Sequence, residues 1–208
     1  MSAPAPRRLV QDGYNAIAEA YLHHRLPDSA DVKMLDSLIA LIEPGCRVLD
    51  AGCGAGVPVT RRLSGTATAI GLDFSRSQVR LGRDSVPAAA FVCGDMTKLP
   101  FGPGSFGAVC SYYAIIHIPR ERHAAVLDEL YRVLQPGGVA LLCMGATDLP
   151  DDREEYLGVE MYWSHFDAAT NLALVAEAGF ERLDHRIITD ESDAGGSGHL
   201  FVLARKPG

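Results

Sequence analysis

The sequence predicts an α/β fold, a mostly parallel sheet with helices on both faces. Three observations predict it. Apolar strand-like runs at 46–51, 67–72, 89–93, 106–112 and 138–144 alternate with helix-like runs at 55–64, 75–84 and 120–134, the pattern of successive βαβ units. Three successive strand-like runs finish at an aspartate: Asp50, Asp73 and Asp95. The first passes straight into Gly52-Cys53-Gly54-Ala55-Gly56, a turn whose backbone a ligand can approach where any Cβ would collide.

Each element has its own signal. Residues 9–43 carry helical periodicity, with Tyr14, Ile17, Ala18 and Tyr21 on one face and Val32, Leu35, Leu38, Ile39 and Ile42 on another. Pro27 interrupts that run and predicts two helices. Glu43-Pro44-Gly45 stops them. The Pro/Ala-rich start predicts a disordered tail, so residues 1–43 read as a tail and helical cap and 44–208 as the main domain. The helix over 120–134 shows Ala124, Ala125, Leu127, Leu130, Tyr131 and Leu134 as an apolar stripe. Residues 147–160 are acid-rich, contain Pro150, and read as an excursion over the sheet edge. Asp167 is a candidate N-cap for a helix through Ala178, with Gly179 just past its end. Runs at 183–189 and 199–205 flank a glycine-rich loop at 193–198 and predict a terminal hairpin. The count is then seven strands, the last antiparallel.

The bulk properties exclude some functions. The 208 residues carry a formal charge of −7, which argues against broad contact with nucleic acid phosphate. No run approaches 18 apolar residues, so neither a membrane span nor membrane binding is expected. The N-terminus lacks the apolar core of a secretion signal, which makes the cytoplasm the expected location. Five cysteines stand at 46, 53, 93, 110 and 143 without Cys-x-x-Cys or metal-ligand spacing. They read as reduced, and Cys93, Cys110 and Cys143 as buried small hydrophobes. No metal is expected.

Five segments together carry a family likeness. They are Asp50-Ala51-Gly52-Cys53-Gly54-Ala55-Gly56, Gly71-Leu72-Asp73-Phe74-Ser75, Gly94-Asp95-Met96-Thr97-Lys98-Leu99-Pro100-Phe101, Ser105-Phe106-Gly107-Ala108-Val109, and Arg132-Val133-Leu134-Gln135-Pro136-Gly137-Gly138. With them the chain resembles the class I S-adenosylmethionine-dependent methyltransferases of the small-molecule type. A nicotinamide-binding fingerprint would need glycine where Val57 stands. The resemblance implies a Rossmann-like seven-stranded sheet and S-adenosylmethionine as cofactor. It assigns Gly52, Gly54 and Gly56 to the methionine end, with Asp50 supporting the loop and the ammonium group. Asp73 would accept from the ribose hydroxyls and Asp95 from the adenine amino group. Met96 would donate its amide to the ring and Phe74 would lie against it. Ser111, closing the fourth strand, counts with these cofactor contacts.

The acceptor side follows the fourth strand. His117 lies in a His-x-Pro setting, and an imidazole has a suitable ordinary pKa for a general base. Tyr113, four residues earlier, is counted with the acceptor. Tyr14 and Tyr21 resemble the Tyr-x-x-x-Ala-x-x-Tyr segment that closes the site in related enzymes. Tyr162, Trp163, His165 and Phe166 crowd four rings into five positions, and read as a lid over a flat apolar acceptor. The expected activity is methylation of a small organic acceptor, with oxygen favoured over nitrogen, carbon or sulfur. A protein or peptide methyltransferase, or a cofactor-binding protein that transfers no methyl, remain as alternatives. A nucleic acid amino-methyltransferase is disfavoured, because Ser111-Tyr112-Tyr113-Ala114 stands where an Asp/Asn-Pro-Pro-aromatic motif belongs.

Overall fold

The computed structural model describes residues 5–25, 29–189 and 198–208. Seven strands form one sheet in the order β3-β2-β1-β4-β5-β9-β8. Its parallel half comprises β1 (Arg47–Ala51), β2 (Thr68–Asp73), β3 (Ala90–Cys93), β4 (Phe106–Ser111) and β5 (Leu134–Gly145). β9 (His199–Arg205) runs antiparallel between β5 and β8 (Glu181–Ile188). The Rossmann-like sheet and its antiparallel last strand thus stand as the sequence predicts.

The central strands are apolar on both faces because helices cover both. Alternate residues divide accordingly. Leu49, Leu72, Val109, Leu142 and Val202 pack on one side with α6 (His123–Val133) and α7 (Ala168–Glu177). Val48, Ala69, Cys110, Leu141 and Phe201 pack on the other with α3 (Ala30–Ile39) and α4 (Val59–Ser64). α5 (Arg76–Ser85) adds Val79 and Val86 against Phe91. Ser75 caps α5 by accepting from the Gln78 N–H, and Asp167 caps α7 by accepting from Thr170.

Some elements differ from expectation. The N-terminal segment forms three helices, because the chain also breaks at Ile17, between α1 (Pro6–Ala16) and α2 (Ala18–His24). Ile17 is buried, so apolar periodicity runs through the break and conceals it. Pro27 and most of the 193–198 loop lie outside the described residues. The acid-rich stretch is a β-hairpin, with β6 (Leu149–Tyr156) antiparallel to β7 (Val159–His165) in a two-stranded sheet of its own. Its two-residue turn puts both Leu157 and Gly158 at positive φ, the twist that suits a tight hairpin. Cys93 is exposed, since β3 is an edge strand. His123 is fully buried at the start of α6 and bonds the Ile118 carbonyl at 3.0 Å.

Asn171 fixes the hairpin's root to the sheet. It is buried on α7 and donates to the carbonyls of Gly145, at the end of β5, and Phe166, just after β7. Asn171→Leu strands both acceptors and should lower unfolding free energy by about 1–3 kcal/mol. Urea denaturation checks this, and an unchanged midpoint and slope would show that the two bonds contribute nothing.

Candidate active site

The glycine turn hangs from the end of β2. The N–H groups of Gly52 and Cys53 donate to the Leu72 carbonyl at 2.7 and 3.0 Å, and the Gly54 N–H donates to the Asp73 carboxylate at 2.9 Å. Gly52, Gly54 and Gly56 all take positive φ, but for different reasons. A Cβ on Gly52 would come within 2.2 Å of the Ala114 Cβ, and one on Gly56 within 2.7 Å of Phe91. A Cβ on Gly54 meets nothing closer than 3.5 Å, at Tyr21 across the cavity. Gly56 serves packing and lies off the cavity wall, while Gly54 leaves its side open to a ligand.

That turn is one wall of a cavity of about 210 Å³ at the carboxyl ends of β1, β2 and β4. β1 and β4 flank the switch point of the sheet, where open α/β folds bind ligands. Asp50, Asp73, Phe74, Asp95, Met96, Tyr113 and His117 line it, as do Tyr14 and Tyr21 from the N-terminal helices.

Two of its acids are unusual. Asp50 is buried, accepts from the Thr60 hydroxyl at 2.6 Å and from the Cys110 thiol, and is pushed up to about 6 by burial against those hydrogen bonds. Asp73 is pushed up to about 6 by burial, although the N–H groups of Ser75 and Gly54 favour its anion. Asp95 behaves oppositely. Burial raises it, but the Thr97 hydroxyl, the Arg7 guanidinium and the Thr97 N–H together hold it below the usual carboxylate range.

His117 closes a short 3₁₀ turn, Ile115–His117, after β4. Its Nδ1 lies 2.7 Å from the Tyr162 carbonyl. A carbonyl only accepts, so Nδ1 carries the proton and Nε2 presents a lone pair. The Tyr14 hydroxyl donates to that lone pair at 2.9 Å. Burial lowers His117 to about 4 against the bond to Tyr162, and burial raises the Tyr14 phenol well above its ordinary value. Both are therefore neutral at pH 7. The imidazole is a much weaker base than its unperturbed form.

The remaining candidates stand behind this wall. Trp163 contacts His117 with ring centroids 5.5 Å apart, and Tyr162 contributes its carbonyl. His165 bonds the Thr147 carbonyl at 2.7 Å, and Phe166 lies under the Arg120 guanidinium. Ser111 is buried, and its hydroxyl has no partner. None of these five lines the cavity. Residues 162–165 lie in β7, so successive rings point to opposite faces rather than together at a ligand.

Arg25 belongs to the site and had not been anticipated. It follows Tyr21 by four residues, pairs with buried Asp31 at 3.1 Å, and sits 4.7 Å over the Tyr113 ring. The i, i+4 spacing from Tyr21 was the available signal. Tyr113 itself holds φ at 52°, a strained conformation of the kind that gathers at functional sites.

This donor set fits S-adenosylmethionine. Two buried carboxylates that burial biases towards protonation suit a ligand with an ammonium, a sulfonium and two hydroxyl donors. Arg25 suits a carboxylate, and Phe74 and Met96 suit a flat base. The comparisons agree. Residues 48–138 match the family model of a methyltransferase domain. A sterol 24-C-methyltransferase of Aspergillus fumigatus is 32% identical over 203 residues, covering 87% of this chain and 48% of that one. A demethylmenaquinone methyltransferase of Beutenbergia cavernae is 38% identical over 104 residues, covering 50% and 42%. The chain thus spans about half the length of the curated relatives it matches. A Burkholderia thailandensis 1,6-didemethyltoxoflavin-N1-methyltransferase, solved with its acceptor and S-adenosylhomocysteine, superposes with a TM-score of 0.76 at 19% identity, covering 100% of this chain and 94% of that one. Residues 48–138 thus carry a methyltransferase domain, set in a fold shared with S-adenosylmethionine-dependent methyltransferases.

Two outcomes follow from the acids. A carboxyl raised to about 6 keeps its proton in the fold at pH values where the unfolded chain has lost it. The stability contributed by the protonated form is therefore lost as pH rises through 6. A cationic ligand prefers the ionised form, so its affinity should rise with pH up to about 6 and then level off, with proton release below that point. Calorimetry in buffers of different ionisation enthalpy reads both, and flat affinity from pH 5 to 8 would contradict the assignment. Asp73→Ala should weaken S-adenosylmethionine binding by one to two powers of ten, since a charged hydrogen bond contributes roughly 1.5–3 kcal/mol. Unchanged affinity in the folded variant would remove Asp73 from the site.

Proposed function

We propose that the protein transfers the methyl of S-adenosylmethionine to carbon on a small, largely apolar acceptor. The observation that carries this reading is the His117 environment. Its proton is fixed on Nδ1 by Tyr162, its lone pair is met by Tyr14, and its basicity is reduced to about 4. So weak a base is poorly matched to an alcohol or phenol, which must lose a firmly held proton as it is methylated. It is well matched to an electron-rich carbon, whose methylated adduct is a cation that gives up a proton readily. The initial preference for oxygen therefore has no support, and the names of the curated relatives, a sterol 24-C-methyltransferase among them, lean towards carbon.

The acceptor would sit between Tyr14, Tyr21, Tyr113 and His117, on the side of the cavity away from Asp73 and Asp95. Aromatic walls suit a flat apolar molecule. The sulfonium already activates the methyl, so alignment and exclusion of water supply most of the catalysis.

Methyl-labelled S-adenosylmethionine, incubated with a panel of a naphthoquinol, an alkene, a phenol, an amine and a thiol, tests the reading. The label should appear as a carbon-bound methyl, and label found only on oxygen, nitrogen or sulfur overturns it. On the accepted substrate, His117→Ala should lower kcat by about 10²–10⁴ while S-adenosylhomocysteine binds as before. The wild-type rate should show no loss through the ordinary histidine range near pH 6.5. Full turnover by the variant would take His117 out of the chemistry.

A further inference from the structure

The two edges of the sheet are built differently. β3 is four residues long, and so short an edge offers little backbone to another strand. β8 runs eight residues, and among the described residues no strand pairs with its outer side. It holds neither proline nor lysine, the usual guards of an open edge. Leu183 and Ile187 are 41% and 54% exposed, two of the four large apolar side chains that stand exposed among the described residues. Glu181 and Asp184 balance Arg182 and Arg186, so the strand is formally neutral in a chain of charge −7. Two such chains repel each other least along a neutral face.

We propose that β8 pairs antiparallel with β8 of a second copy, joining two seven-stranded sheets across a two-fold axis at His185. The charge order of the strand is self-complementary about that residue, and this carries the proposal. With His185 opposite its own copy, Asp184 stands opposite Arg186 of the second copy, and Arg186 opposite its Asp184. Leu183 stands opposite Ile187 in the same way. Within one chain Asp184 and Arg186 already share a face, 3.4 Å apart and largely exposed, a pair that contributes little by itself. The Asp184 carboxylate otherwise holds only the N–H of the next residue, at 2.9 Å. Across the axis the four charges alternate in sign, and opposed charges and opposed apolar side chains each stabilise a ladder. The register is specific. Moving the axis one residue either way sets Asp184 against its own copy, or Arg186 against its own. The candidate cavity lies at β1, β2 and β4, on the other half of the sheet, so pairing through β8 leaves both copies of it open.

Sedimentation velocity of the full chain, over a concentration series up to about 1 mM, reads the assembly. The wild type should pass from one protomer mass to two as concentration rises. Arg186→Asp opposes acids with acids, and Asp184→Arg opposes bases with bases. Either variant alone should associate about 10-fold more weakly or worse. An equimolar mixture of the two opposes unlike charges at every contact, and should associate within about threefold of the wild type. No effect inside a single chain produces that rescue. Ile187→Lys, which places a charge on the apolar pair, should bring the same loss, and it stands in for either charge variant that fails to fold. A wild type that stays at one protomer mass throughout overturns the proposal. So does a dimer that none of the variants weakens, or a mixture that stays apart. Assemblies larger than two overturn it as well, because an edge paired with itself is closed.

Discussion

The site depends on one carboxylate. Asp73 ends β2 and receives the Gly54 N–H on one oxygen and the Ser75 N–H on the other. The first bond fixes the glycine turn after β1. The second fixes the entry to α5, whose Ser75 hydroxyl then reaches Asn15 on α1. Three layers are thereby registered against one another: the sheet edge, the ligand turn and the roof. The carboxylate is buried, so each bond acts in a medium where a polar group left alone would be expensive. That same burial raises its pKa. The residue that organises the site is therefore also the one most in need of hydroxyl donors from a ligand.

Charge inside the cavity is arranged to be completed. Asp50 and Asp73 are acids that burial pushes towards neutrality, while Arg25 is a buried cation already compensated by Asp31. His117 and Tyr14 form a neutral pair. The acceptor half thus holds little charge of its own, and the cationic methyl donor would be the dominant field in it. A nucleophilic carbon needs little more than that, together with close approach and the exclusion of water.

Much of this was legible in the sequence, because the central sheet obeys local rules. Strands buried on both faces read as apolar runs, and their ends read as aspartates before turns. The roof was less legible. β6 mixes half-buried and exposed positions in no two-residue alternation and has no apolar face, so it carries no period-2 signal, and Leu157-Gly158 lacks the Asn or Asp that marks a hairpin turn. The crowding of rings at 162–166 was over-read. In a strand, adjacency in sequence means opposite faces in space, so Trp163 supports His117 from behind and Tyr162 contributes a backbone carbonyl. The basicity of His117 could not be read at all, since it depends on burial by segments 45 and 103 residues away.

The roof is held by a core of its own. Val10, Ile17, Met161 and Tyr162 form a cluster with Tyr14, Tyr21, Tyr156 and Trp163, separate from the two large clusters on either face of the sheet. α1 and the β6–β7 hairpin, distant in sequence, are thus bound to each other by apolar packing, while α1 meets the cofactor wall through hydrogen bonds and through Phe74, which packs on the same cluster. Units with a small private core and polar outer contacts sit at the low-stability end of a fold and open first. The cavity beneath, about 210 Å³, is smaller than the roughly 300–1,000 Å³ usual for ligand sites. A cofactor and an acceptor together exceed it, so holding both requires the roof to give way above the cavity.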